Sequence, residues 1–214
     1  MPGVISSRTA SRAAYAAAAL NLAAALAMLL VLRSGLPMAG SALVGRDAYV
    51  SGHAALWRLG WLFWHAADFG LLAFYLALAA RWRSFGRVRC DLALVAATAG
   101  LAADIASQTL YMGLGPGLQP DTFATMENVA GLLTGYMANG LYTVAGVLLV
   151  WAGACELPRP LLLLSLPAWC AGAALSVSSL VGSTAGQFWS TAALMPLFVI
   201  WTAAMGRWLA GRAS

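Results

Sequence analysis

Six long runs of apolar residues follow one another along the chain, separated by short polar, glycine- or arginine-rich connections. They cover roughly 13–33, 56–80, 91–113, 125–153, 160–182 and 187–209. A helix rises ~1.5 Å per residue, so ~20 apolar residues cross a ~30 Å hydrocarbon core. Each run therefore predicts one transmembrane helix. The fourth is long enough to tilt or to extend beyond the bilayer. The first is too long for a cleaved signal and lacks a small-residue cleavage site, so it reads as a helix. The expected class is all-α: a single six-helix transmembrane bundle over residues 1–214, with both termini on one side.

The connections carry their own signals. Residues 34–56 form the longest segment on the side away from the termini, where Gly35 and Pro37 end the first helix. Asp47 predicts the N-cap of a short helix running toward Trp57. Gly113-Leu114-Gly115-Pro116-Gly117-Leu118-Gln119-Pro120 predicts a second loop on that side, and Gly182 to Gly186 a tight turn. Pro167 and Pro196 predict kinks in the fifth and sixth helices. Gly131 and Gly135 make a GxxxG pair that permits close helix approach within the bundle. No internal repeat is legible.

Two aspartates interrupt this apolar pattern. Asp68 lies ~16 Å into the second run, counted from Trp57, and Asp104 ~20 Å into the third, counted from Asp91. A charge at such depth costs at least ~3 kcal/mol, so it needs a partner, a proton or water. The short connection between the two helices makes them antiparallel neighbours, which sets the carboxylates face to face. Opposed carboxylates without a cation favour a shared proton or a bound cation. His65 stands three residues before Asp68, on the same face. Gln108 and Tyr111 continue the stripe of Asp104, and Glu127 and Asn139 face inward from the fourth helix. These polar groups collect in one half of the bundle, which predicts a polar cavity opening outward with Asp68 and Asp104 as its floor. Against this stands the plainer reading, in which the serines, threonines and asparagine stitch helices together, Glu127 caps a helix start, and Asp68 pairs with His65.

Charge then orients the bundle. Arg8, Arg12, Arg81, Arg83, Arg87, Arg89, Arg159, Arg207 and Arg212 gather at the ends of the runs on one side, against Arg33, Arg46 and Arg58 on the other. The positive-inside rule puts both termini in the cytoplasm. Trp57, Trp61, Trp64, Tyr111 and Trp189 predict an outer aromatic belt, and Trp82, Trp151 and Trp208 an inner one.

Composition removes several chemistries. The chain is 62% hydrophobic and 9% charged, against roughly 25% charged in soluble domains. It contains no lysine, so no Schiff-base or phosphate-loop lysine exists. The net charge of +5 lies at helix ends and not in a patch, which excludes nucleic acid as a partner. With only His53 and His65, a three-histidine zinc site is impossible and a bis-histidine haem does not fit. GxSxG and GxGD motifs are absent. Cys90, Cys155 and Cys170 form no CxxC pair and read as reduced thiols. The alanine-rich, arginine-only composition suggests a bacterial gene and an inner-membrane location.

The second helix opens Ala54-Ala55-Leu56-Trp57-Arg58-Leu59-Gly60 and carries Asp68 further on. An arginine–apolar–glycine entry before a mid-helix aspartate, in a six-span chain of this length, resembles a group of uncharacterised bacterial six-helix membrane proteins. The resemblance implies the fold and carries over no functional residues. The leading expectation is a protein that binds or passes a small ligand, ion or lipid, with His65, Asp68, Asp104, Gln108, Tyr111, Glu127 and Asn139 at the site. No cofactor is assigned, and membrane lipids are the expected surroundings. The alternatives are an accessory subunit packed against other membrane proteins, and an intramembrane enzyme.

Overall fold

The computed structural model describes residues 6–37 and 43–212. These residues are helical or turn, with no strand among them. Helix α1 (Ser7–Leu30) starts where the Ser6 hydroxyl accepts the Thr9 N–H at 3.2 Å, and a one-turn 3-10 helix (Leu32–Ser34) follows it. Then come α2 (Leu43–Gly52), α3 (Ala54–Gly113) and α4 (Pro120–Gly131). A π-helical stretch (Leu132–Ala138) joins α4 to α5 (Asn139–Ala152), and α6 (Arg159–Leu180) and α7 (Thr184–Gly211) complete the chain.

Helix α3 has 60 residues and would measure ~90 Å if straight, three times a hydrocarbon core. It bends instead at Gly86, whose φ and ψ of −167° and 68° are non-helical. The first arm (54–85) and second arm (87–113) then run back along each other. Trp57 Nε1 donates to the Tyr111 carbonyl at 2.8 Å, and Arg58 Nε to that of Met112 at 3.0 Å. Five described helices are long and apolar enough to cross a membrane, and the fold-back of α3 turns five into six rods. The arginine-rich connection expected between the second and third spans is thus an elbow of one residue. Arginine is a good helix former, so helical bonding continues up to Gly86 on both sides. Arg83 pairs with Asp91 across the elbow, and Arg87 pairs with it one turn away on the second arm.

The rods close a ring in which α1 touches α3 and α7, α5 touches α3, and α6 lies between α5 and α7. Small residues set the approach. Ala10, Ala14, Ala17 and Ala24 are buried along α1, and a Cβ at Gly70 would lie 2.8 Å from Leu20. Gly146 gives room to the ring of Trp169, which would stand 2.3 Å from an added Cβ. Two apolar cores result. One surrounds Phe74, Trp169, Phe198 and Trp201 toward the elbow end; the other surrounds Trp57, Trp61, Tyr111 and Phe123 toward α2.

The elbow end is tied by Glu156. It accepts Arg81 Nε and NH2, both at 3.1 Å, and the Trp82 indole at 2.9 Å, while Arg212 lies at 3.6 Å. Arg81 also reaches Ser7 at 2.9 Å. Ser7 and Arg212, close to the first and last described residues, therefore both sit at this end, as an even number of rods requires.

Several local expectations need correction. Helix α2 is already formed at Leu43, so Asp47 lies inside it and caps nothing. Trp57, Trp61, Tyr111 and Trp82 are buried and not belt residues, because the indoles and ring fill the two ends of the core; Trp189 and Trp151 are exposed. Pro167 lies inside α6 and Pro196 inside α7, where each removes one backbone hydrogen bond without ending the helix. Of the GxxxG pair only Gly135 makes a close approach, against Ser179; Gly131 faces open space. The Gly182 turn is real: Gly182 has φ +69°, and Ser183 caps α7 by accepting the Gly186 N–H at 3.1 Å.

Candidate ligand site around two buried carboxylates

The acid pair lies between the two apolar cores. Along the first arm of α3, Asp68 falls between Trp61 of one core and Leu71 of the other; along the second arm, Asp104 and Gln108 fall between Ala103 and Tyr111. The antiparallel fold-back brings these two stretches to one level. Gln108 Nε2 donates to Asp68 Oδ2 at 2.6 Å, and Thr134 Oγ1 donates to Asp104 Oδ1 at 2.5 Å. The two carboxylates are close enough to act on each other directly. Asp68, Asp104 and Gln108 are 5%, 6% and 1% exposed.

Thr134 arrives from the π-helical stretch. A wider helical turn changes which way its side chains face, and such bulges recur at functional sites. Tyr142, on α5, adds a hydroxyl on the elbow side: its ring packs on Gly100, one turn before Asp104, and it acts electrostatically on both aspartates. Tyr75 donates to the Tyr142 carbonyl at 3.1 Å and holds that part of α5 in place. Two polar atoms here are enclosed and have no hydrogen-bond partner: Gln108 Oε1 and the Tyr142 hydroxyl. Buried groups of this kind are few in native structures, and each calls for an explanation.

The seven residues expected at the site separate into three groups. Asp68, Asp104 and Gln108 come together. His65 stands beside them, though it does not bond Asp68: its Nδ1 lies 3.3 Å from the Trp61 carbonyl, and its electrostatic influence falls on Asp104. Tyr111 belongs to the next layer, stacked on Trp61 with ring centroids 4.6 Å apart and 6° between planes, with Trp57 edge-on at 5.9 Å. This aromatic layer lies between the acids and the α2 end. Glu127 is elsewhere, in a buried ion pair with Arg46 of α2. It neither lines the acid site nor caps a helix, because α2 folds over α4 and supplies the cation. Asn139 is also apart, donating to the Gly172 carbonyl at 2.6 Å and to Ser176 Oγ at 2.8 Å, so it stitches α5 to α6.

Sequence reasoning missed Tyr142 and counted Thr134 only among the threonines that stitch helices together. Tyr142 gave no periodic signal, since it stands in an apolar run. Two surface grooves of about 300 and 260 Å³ are lined mainly by apolar residues, such as Leu26, Leu59 and Phe63 in the first, with Thr122 and Thr125 in the second, and none of the site residues borders either. A comparison of the chain with protein-family models, with curated proteins and with solved structures finds no match.

Proposed function

We propose that this chain is an integral protein of a bacterial inner membrane, with cytoplasmic termini, that binds or passes a small ligand or ion at the Asp68–Asp104 pair. One observation carries the reading. Two carboxyl groups from adjacent rods stand side by side, enclosed, in contact with each other and hydrogen-bonded to the neutral side chains of Gln108 and Thr134, with no arginine bonded to either. Structural acids in such surroundings are paired, as Glu127 is with Arg46 and Glu156 with Arg81. An enclosed pair of acids without a cation is costly and marks an ion or substrate pathway by default. The arginine bias toward the elbow end supports the orientation, so the aromatic layer of Trp57, Trp61 and Tyr111 would face outward and gate access.

The test is native mass spectrometry of the chain extracted gently from its own membrane. A single chain retaining a small molecule or lipid is expected, with retention lost in Asp68→Asn and Asp104→Asn. Stoichiometric protein partners, with no effect of either substitution, would replace this reading by the accessory-subunit one.

A further inference from the structure

We propose that the enclosed acid pair binds one dehydrated monovalent cation of sodium's size, in exchange for a proton; this rests on the ligand-binding reading above. The donor set is oxygen throughout. Asp68 and Asp104 supply carboxylates from the two arms of α3. Gln108 turns its amide nitrogen to Asp68 and Asp104 and is left with an enclosed carbonyl oxygen that nothing engages. The Tyr142 hydroxyl is likewise enclosed and unengaged, and it lies within electrostatic reach of both acids. Thr134 gives its proton to Asp104 and keeps its lone pairs free. Oxygen donors of this kind suit hard cations and not zinc or copper.

Charge and room decide among hard cations. Among the described residues no third His, Cys, Asp or Glu completes a metal-binding group. Calcium takes six to eight oxygens and magnesium keeps several waters, whereas this site is enclosed between two apolar cores. Two ionised acids carry two negative charges. A proton and one monovalent cation neutralise them, and so do two protons, so exchanging one for the other leaves the enclosed site neutral. Hydrogen bonds of 2.5 and 2.6 Å leave little space. Sodium, the smaller ion, needs the smaller outward movement of Gln108 and Tyr142 to be admitted, and potassium the larger. The other titratable groups around the pair are His65 and Tyr75 of the first arm and Tyr142 of α5, and no arginine bonds either acid.

The experiment is equilibrium binding of radioactive sodium to the full chain in lipid nanodiscs prepared without sodium. Saturable binding near one ion per chain is expected, weakening about tenfold for each unit the pH is lowered while a proton competes. Lithium should displace the label; potassium and choline should not. Gln108→Met and Tyr142→Phe each remove one neutral oxygen and should weaken binding at least tenfold with the fold intact. No saturable binding up to tens of millimolar, binding indifferent to pH, or displacement by equimolar calcium would overturn the sodium assignment. If sodium fails while the native chain still loses a retained molecule on Asp104→Asn, the ligand-binding reading stands without it. If both fail, both fall.

Discussion

Replacing Asp68 with asparagine separates a functional acid pair from structural glue. The asparagine carbonyl can still accept from Gln108, which now donates at 2.6 Å to a carboxylate oxygen. The new amide can donate to Asp104, so the contact between the two side chains is kept. The ligand-free pair carries two protons and no net charge, so the substitution exchanges one neutral hydrogen-bonding group for another. The ligand-free variant should therefore stay within ~1 kcal/mol of the native chain, about one net hydrogen bond. For a chain of this length that is a change of no more than ~2–4 °C in melting temperature. Cys90 is fully buried, whereas Cys155 and Cys170 are exposed. In a Cys155→Ser, Cys170→Ser background, a thiol-reactive dye thus reports unfolding through Cys90 alone. The variant should melt within a few degrees of the native chain and lose its ligand. A fall of several degrees would mean that the carboxylate holds the helices together, and the physical basis for a ligand site would be gone.

Four further outcomes follow from the geometry. Glu156→Gln removes the charge that Arg81, Trp82 and Arg212 share; it should cost about 2 kcal/mol and lower the melting temperature by several degrees, with ligand retention unchanged. Breaking the buried Arg46–Glu127 pair with Glu127→Gln should cost ~3–5 kcal/mol, whereas the double change Arg46→Met with Glu127→Leu should be near neutral in a chemical denaturation series. Gly135→Ala places a Cβ 2.2 Å from Ser179 Oγ and should destabilise the chain, while Gly131→Ala meets nothing within 4 Å and should gain up to ~1 kcal/mol; equal effects in a melting assay would contradict this packing. With cytoplasmic termini, a membrane-impermeant maleimide should label Cys155 in inverted vesicles and not in intact spheroplasts, and the reverse pattern would invert the proposed topology.

Much of the fold is legible in the sequence because apolar runs in a lysine-free, weakly charged chain leave few options. Length limits each run to one crossing, and the glycine–proline stretch after Gly113 and the Gly182 turn end helices for local reasons. Asp68 and Asp104 stand out because they break an otherwise apolar pattern, and helical spacing alone puts Gln108 on the same stripe as Asp104. What the sequence by itself determined, then, is the class, the rods and the identity of the acids. Only the tertiary structure decided their company. Glu127 reads like a site residue until α2 folds over it and supplies Arg46; Asn139 does so until α6 offers Gly172 and Ser176. Tyr142 and Thr134 reach the acids through the packing of α5 and the π-helical turn on the second arm of α3, and Trp57, Trp61 and Tyr111 leave the expected belt to close the site. The physical reason is that periodicity records which face of a helix avoids lipid, whereas the partner of a polar group depends on which other helix meets that face and at what level.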